Sequence, residues 1–170
     1  MDTTAELGTN SVNGHGQEYE IVPVPAEALD SITVQAKMFK WLEPCLELFR
    51  NRYDFTDLLD LGRKGHFRFY FVVNTERKEI DGCGIMTLSI YPRKRYAKLF
   101  MLGGRNAEEW KFAWCQALEE FARLNNCVDE NNKLLIETGG RQGWRKMAKT
   151  LGYELVTDHY EYNNEYYTLN

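Results

Sequence analysis

The sequence predicts one α/β (α+β) domain with a mixed, largely antiparallel central sheet of about six to seven strands flanked by about four helices. Three observations predict it. Tyrosine and phenylalanine concentrate in short runs that read as strands, and two long stretches carry apolar residues at spacings of three and four. These segments follow one another as β, α, α, β, β, β, α, β, α, β, β. A chain of 170 residues is one domain's worth and buries roughly two-thirds of its unfolded surface.

Each element has a local reason. Glu18 to Pro25 (EYEIVPVP) alternates apolar and polar residues and ends at prolines, which gives a first strand. From Ala26 to Arg52 the pattern turns helical through Leu29, Ile32, Met38, Trp41, Leu42, Cys45, Leu46 and Phe49, with Pro44 expected to divide or kink it. A second short helix is expected over Phe55–Leu61, stopped by Gly62. Three strands follow at Phe67–Asn74, Gly82–Tyr91 and Tyr96–Leu102, joined by polar links that suit antiparallel hairpins.

Asn106 is expected to cap the clearest helix, with Glu109 completing a capping box. Trp110, Ala113, Trp114, Ala117, Leu118, Phe121 and Ala122 form its apolar stripe, which places the tryptophans in the core. Lys133–Thr138 reads as a buried strand. Gly139 and Gly140 lead into a last helix that meets Gly152, and Tyr153–Thr157 and Tyr160–Leu169 complete the chain as two strands. Residues 1–17 carry almost nothing to bury and read as a flexible arm, so the domain is assigned to 18–170.

Composition excludes several functions. The net charge of −4 argues against a nucleic-acid partner, and the basic run Pro92-Arg93-Lys94-Arg95 reads as a solvated hairpin tip. No segment reaches the roughly 18–20 apolar residues of a membrane span, so a cytoplasmic location is expected. Cys45, Cys83, Cys115 and Cys127 lack CxxC spacing and read as reduced, partly buried thiols; no metal site is expected.

The element order, with LIETGGRQGWRKMAKTLGYEL at 135–155 as its most specific stretch, resembles the GNAT acetyltransferase superfamily over nearly the whole of Glu18–Asn170. The resemblance implies a phosphate-binding loop of the form Q/R-x-x-G-x-G/A between the fourth strand and the third helix. Here that place holds Leu102-Gly103-Gly104-Arg105-Asn106-Ala107-Glu108-Glu109, with altered spacing and two acids in the first helical turn. Each such carboxylate opposes an incoming anion by roughly 0.3–1 kcal/mol. The positions where family members carry an asparagine and a tyrosine are Arg141 and Ala148.

The candidate residues are therefore few. Gly103, Gly104, Arg105, Gly139, Gly140 and Arg141 form two equal tripeptides, each ending a strand, that could present two arginines at one cleft. Glu137, at a strand end, is the candidate general base. The altered loop leads to an expected non-catalytic structural or protein-binding component, similar in type to GNAT-like virion proteins of tailed bacteriophages. It would bind no cofactor, and its partners would be virion proteins or further copies of itself. The alternative is an acyl-CoA-dependent N-acetyltransferase with an atypical CoA loop and acetyl-CoA as its cofactor. A third reading is a small inhibitor that binds through the acidic tyrosine-rich segment Glu154–Glu165.

Overall fold

The computed structural model describes residues 18–49, 52–138 and 149. The expected N-terminal arm, the last helix apart from Lys149, and the two last strands lie outside the described residues. Five strands run in the order β1 (Tyr19–Pro23), β2 (Arg68–Asn74), β3 (Glu79–Ile90), β4 (Arg95–Gly104) and β5 (Ile136–Thr138). The helices are α1 (Ile32–Leu46), α2 (Phe55–Arg63) and α3 (Ala107–Leu124). The shortfall from about six to seven strands and four helices is the C-terminal segment just named.

Neighbouring strands are antiparallel except β4 and β5, which pair in parallel at Ala97–Leu99 against Ile136–Thr138. The β2–β3 link is shorter than the sequence suggests, whereas the β3–β4 link keeps its expected four residues, shifted by one to Tyr91–Lys94. β3 begins at Glu79, so the turn is Thr75–Lys78, with Lys78 left-handed at φ 54°. Asn74 holds this turn, its buried Oδ1 accepting from the Arg77 amide at 2.8 Å.

Helix limits differ from expectation for identifiable reasons. The segment from Ala26 divides into a 3-10 turn (Ala26–Asp30), α1, and a second 3-10 turn (Glu47–Phe49). Pro44 lies inside α1 and does not divide it. The ring removes one N–H from the ladder, and the helix ends two residues later in the tighter turn. Gly62 lies within α2 and does not stop it. A Cβ there would stand 2.5 Å from the Phe69 ring, so this glycine admits the sheet, while Gly65 supplies the left-handed residue past the helix at φ 78°. The capping box belongs to Asp54 and Asp57 on α2, whose side chains bond each other's backbone amides at 2.9 Å.

The sheet is covered on both faces. Trp110, Trp114, Leu118, Phe121 and Ala122 of α3 pack on Val72, Met86, Ala97 and Leu99. Leu29, Met38, Leu42, Leu58 and Leu59 pack on Phe69, Cys83, Ile85 and Met101 of the other face. Leu99 and Met101 should share a face in a regular strand, yet they serve opposite cores. A bulge explains this: Met86 faces Leu99 and Ile85 faces Met101, so Phe100 is an extra residue that resets the alternation.

Trp114 is 1% exposed and its ring lies over Gly84, where a Cβ would meet it at 2.4 Å. Trp114→Ala should therefore cost about 3–5 kcal/mol in a urea titration, because the sheet cannot close over so large a cavity. A loss under about 1 kcal/mol would contradict this packing.

Candidate functional site

β4 ends at Gly104 and α3 begins at Ala107, so only Arg105 and Asn106 connect them. Both glycines are used for packing. A Cβ on Gly103 would lie 1.9 Å from the Trp41 carbonyl oxygen of α1, and one on Gly104 would lie 2.7 Å from the Asp81 carbonyl oxygen. Asn106 does not cap the helix through its side chain; it is left-handed at φ 57°, and its backbone carbonyl accepts from the Glu109 amide at 2.9 Å. The Glu109 side chain turns instead toward Tyr19.

Arg105 is half exposed, but its guanidinium is already engaged by carboxylates of the chain. Its Nε donates to Asp81 Oδ1 at 2.8 Å, a terminal nitrogen donates to Glu79 Oε2 at 2.7 Å, and its backbone amide donates to the Asp81 carbonyl at 2.8 Å. Its own carbonyl accepts from Trp110 Nε1 at 2.7 Å. The first arginine of the expected two-arginine site thus holds two carboxylates of the chain itself. Gly139, Gly140 and Arg141 lie outside the described residues.

The centre of this knot is Asp81, fully buried. In the β2–β3 register Val72 faces Gly82 and Val73 faces Ile80, so Asp81 is a bulge residue and leaves the regular alternation. Arg77 donates to Oδ2 at 2.6 Å, and the Tyr19 hydroxyl lies 3.0 Å from the same oxygen and 2.7 Å from Glu109 Oε2. Burial pushes the Asp81 carboxyl up, but the bonds from Arg105, Tyr19 and Arg77 outweigh it and hold the group below the usual carboxylate range. Burial raises the Tyr19 hydroxyl, and its bond to Glu109 adds to that. The sequence reading missed Asp81, Arg77 and Tyr19; an acid flanked by apolar residues in a strand run was the available signal.

Glu137 sits on β5 opposite Lys98 of β4, with Lys98 Nζ 3.9 Å and the Tyr91 hydroxyl 3.5 Å from its carboxylate. Its side chain is 15% exposed, so it is largely withdrawn from solvent. Lys98 and Phe100 alternate onto the α1–α2 face, where Phe100 meets Phe67, Phe49 and Tyr53 with ring centres 4.5, 5.1 and 5.3 Å away. Arg105 lies seven residues beyond Lys98, roughly 20 Å along the strand. The structure does not bring Glu137 and Arg105 together.

The cysteines are free thiols, with Cys83 and Cys127 buried. Burial raises the Cys83 thiol and pushes Cys115 up to about 11, which leaves both poor nucleophiles. Among the described residues no group of three metal-ligating side chains forms, and no helix is long and apolar enough to cross a membrane. Arg93 and Lys94 are exposed at the β3–β4 turn, as a hairpin tip should be.

Asp81 has a folded pKa below its unfolded one. Its contribution is thus complete above the unfolded value near pH 4 and is lost as pH falls through the folded value. Asp81→Asn should cost about 2–4 kcal/mol at neutral pH, less than a fully buried pair because both arginines are half exposed. The gap from wild type should close below about pH 4 in denaturant titrations. Arg105→Ala should lower the melting temperature with no ligand present; an unchanged value would return Arg105 to the free cations.

No protein-family model matches the chain, and no curated protein matches it. Solved structures do. A predicted acetyltransferase from Clostridium acetobutylicum, determined with acetyl-CoA, aligns over 82% of this chain and 92% of its own, with a TM-score of 0.58 and 9% identity. An acetyltransferase of Trypanosoma brucei covers 82% and 94% (TM-score 0.56, 12% identity). An aminoglycoside 6′-N-acetyltransferase from Acinetobacter baumannii covers 82% and 92% (TM-score 0.52, 14% identity). These findings overturn the expected cofactor-free structural or virion component, since the structures that share this architecture are acetyltransferases and one was determined with acetyl-CoA. The chain has the GNAT fold.

Proposed function

We propose that this chain is an acyl-CoA-dependent N-acyltransferase with an atypical CoA loop. The observation that carries the reading is the β4–β5 pair. Among the described residues it is the parallel pair of an otherwise antiparallel sheet, and the Phe100 bulge follows directly on the register pair Leu99–Thr138. A bulge bends its strand and increases its twist, which turns β4 away from a straight neighbour. Main-chain amides that such a bend frees from strand pairing would suit an extended ligand that carries amides of its own, as the pantetheine arm of acyl-CoA does. The fold it shares with acetyltransferases supports the same reading.

The nucleotide end fits less well. The connection from β4 to α3 has two residues, its arginine is paired, and Glu108 and Glu109 occupy the first turn. The acyl thioester brings an activated carbonyl to β4. Glu137 then acts as the base toward an amine presented on the α1–α2 face beside Phe100. The amine nitrogen bonds the carbonyl carbon, the C–S bond breaks, and the proton passes from nitrogen to the Glu137 carboxylate. A thiol of ordinary pKa, about 8.5, leaves as thiolate without help, so alanine at position 148 does not block the reaction.

Acetyl-CoA at about a hundredfold over its dissociation constant should raise the melting temperature by roughly 5–10 °C. Thiol release with a panel of primary amines should be slowed about 10²- to 10⁴-fold by Glu137→Gln, with acetyl-CoA affinity unchanged. Absence of both the thermal shift and thiol release in the wild type would refute the assignment.

A further inference from the structure

We infer that the acyl donor is gripped by its neutral pantetheine–thioester arm and not by its nucleotide diphosphate, so that S-acyl pantetheines are donors of the same standing as acyl-CoA. This rests on the acyltransferase reading. Holding a diphosphate requires uncommitted cations or backbone amides where it lands, and at the end of β4 Arg105, Arg77, Lys111 and the Arg105 amide are committed. The Arg105 guanidinium bonds Asp81 and Glu79, and its amide bonds the Asp81 carbonyl. Arg77 bonds Asp81 and stands 3.6 Å from Glu79. Lys111, one turn into α3, is paired with Glu108.

Releasing any of these to a ligand would strand another charge. Asp81 is fully buried and could not turn out to water, so a phosphate that won Arg105 would leave a buried carboxylate short of a partner. The knot of Glu79, Asp81 and Glu109 against Arg77 and Arg105 carries three acids to two bases, a net charge of −1 that repels an anion. The glycines cannot compensate, because Gly103 admits the Trp41 carbonyl and Gly104 lies against Asp81. The internal carboxylates thus hold the arginine that a phosphate would need. The pantetheine arm carries amides and a thioester and no charge, so its binding along β4 would leave the knot undisturbed.

Isothermal titration of the full chain with acetyl-CoA, S-acetyl-pantetheine and adenosine 3′,5′-bisphosphate tests this. The two thioesters should bind within about threefold of each other, with affinities unchanged between roughly 50 and 300 mM salt, and the bisphosphate should not displace either. Acetyl-CoA binding more than about 30-fold tighter than S-acetyl-pantetheine, or displacement by the bisphosphate, would overturn the inference and leave the acyltransferase assignment standing. If neither thioester binds, the assignment fails and the inference with it.

Discussion

The buried carboxylate of Asp81 is the constraint on which the rest of the structure depends. Four separate parts of the chain converge on it: Tyr19 from β1, Arg77 from the β2–β3 turn, Arg105 after β4, and Glu109 of α3 through Tyr19. A carboxylate without water needs such partners, and placing one at the bulge of β3 obliges these elements to meet there. The Arg105 carbonyl in turn receives the Trp110 indole, so the polar knot also sets how α3 begins its descent over the sheet.

The second constraint is the pair of bulges. At Asp81 the extra residue aims a carboxylate toward α3; at Phe100 it exchanges the faces of β4, so that Leu99 serves one core and Met101 the other. Between the bulges β3 and β4 pair closely enough that Gly82 and Gly104 have no room for side chains. The same residues therefore produce the tight end of the sheet, where α1 presses on Gly103, and the bent stretch beside β5.

Much of this was legible in the sequence, because it follows from periodicity. The apolar stripe of α3 gave its core face, and Trp110 and Trp114 are buried as their spacing implied. What escaped were features that depend on tertiary partners. A bulge has no local signature in GCGIMTLSI or YAKLFML, since the extra residue is decided by the facing strand. Arg105 looks the same in sequence whether it meets phosphate or carboxylate. Asn106 resembled a cap, but its left-handed backbone follows from a connection only two residues long. The glycines at 103 and 104 suggested a phosphate loop, whereas the structure uses them to admit Trp41 and Asp81.

An altered nucleotide loop and a working acyl-transfer site are compatible because they draw on different parts of the donor. Contacts to a remote diphosphate are made equally in the ground and transition states, so losing them raises the concentration of donor required and leaves the chemical step alone. The step itself needs the thioester carbonyl placed within reach of the amine and a carboxylate to take the proton. In the proposed reaction those requirements fall to Lys98–Phe100 and Glu137, roughly 20 Å along β4 from the occupied arginine. The two ends of one strand can thus change independently. Carboxylates at Asp81 and Glu79 can hold the β4–α3 junction without fixing the bent stretch beside β5, where the proposed transfer is placed.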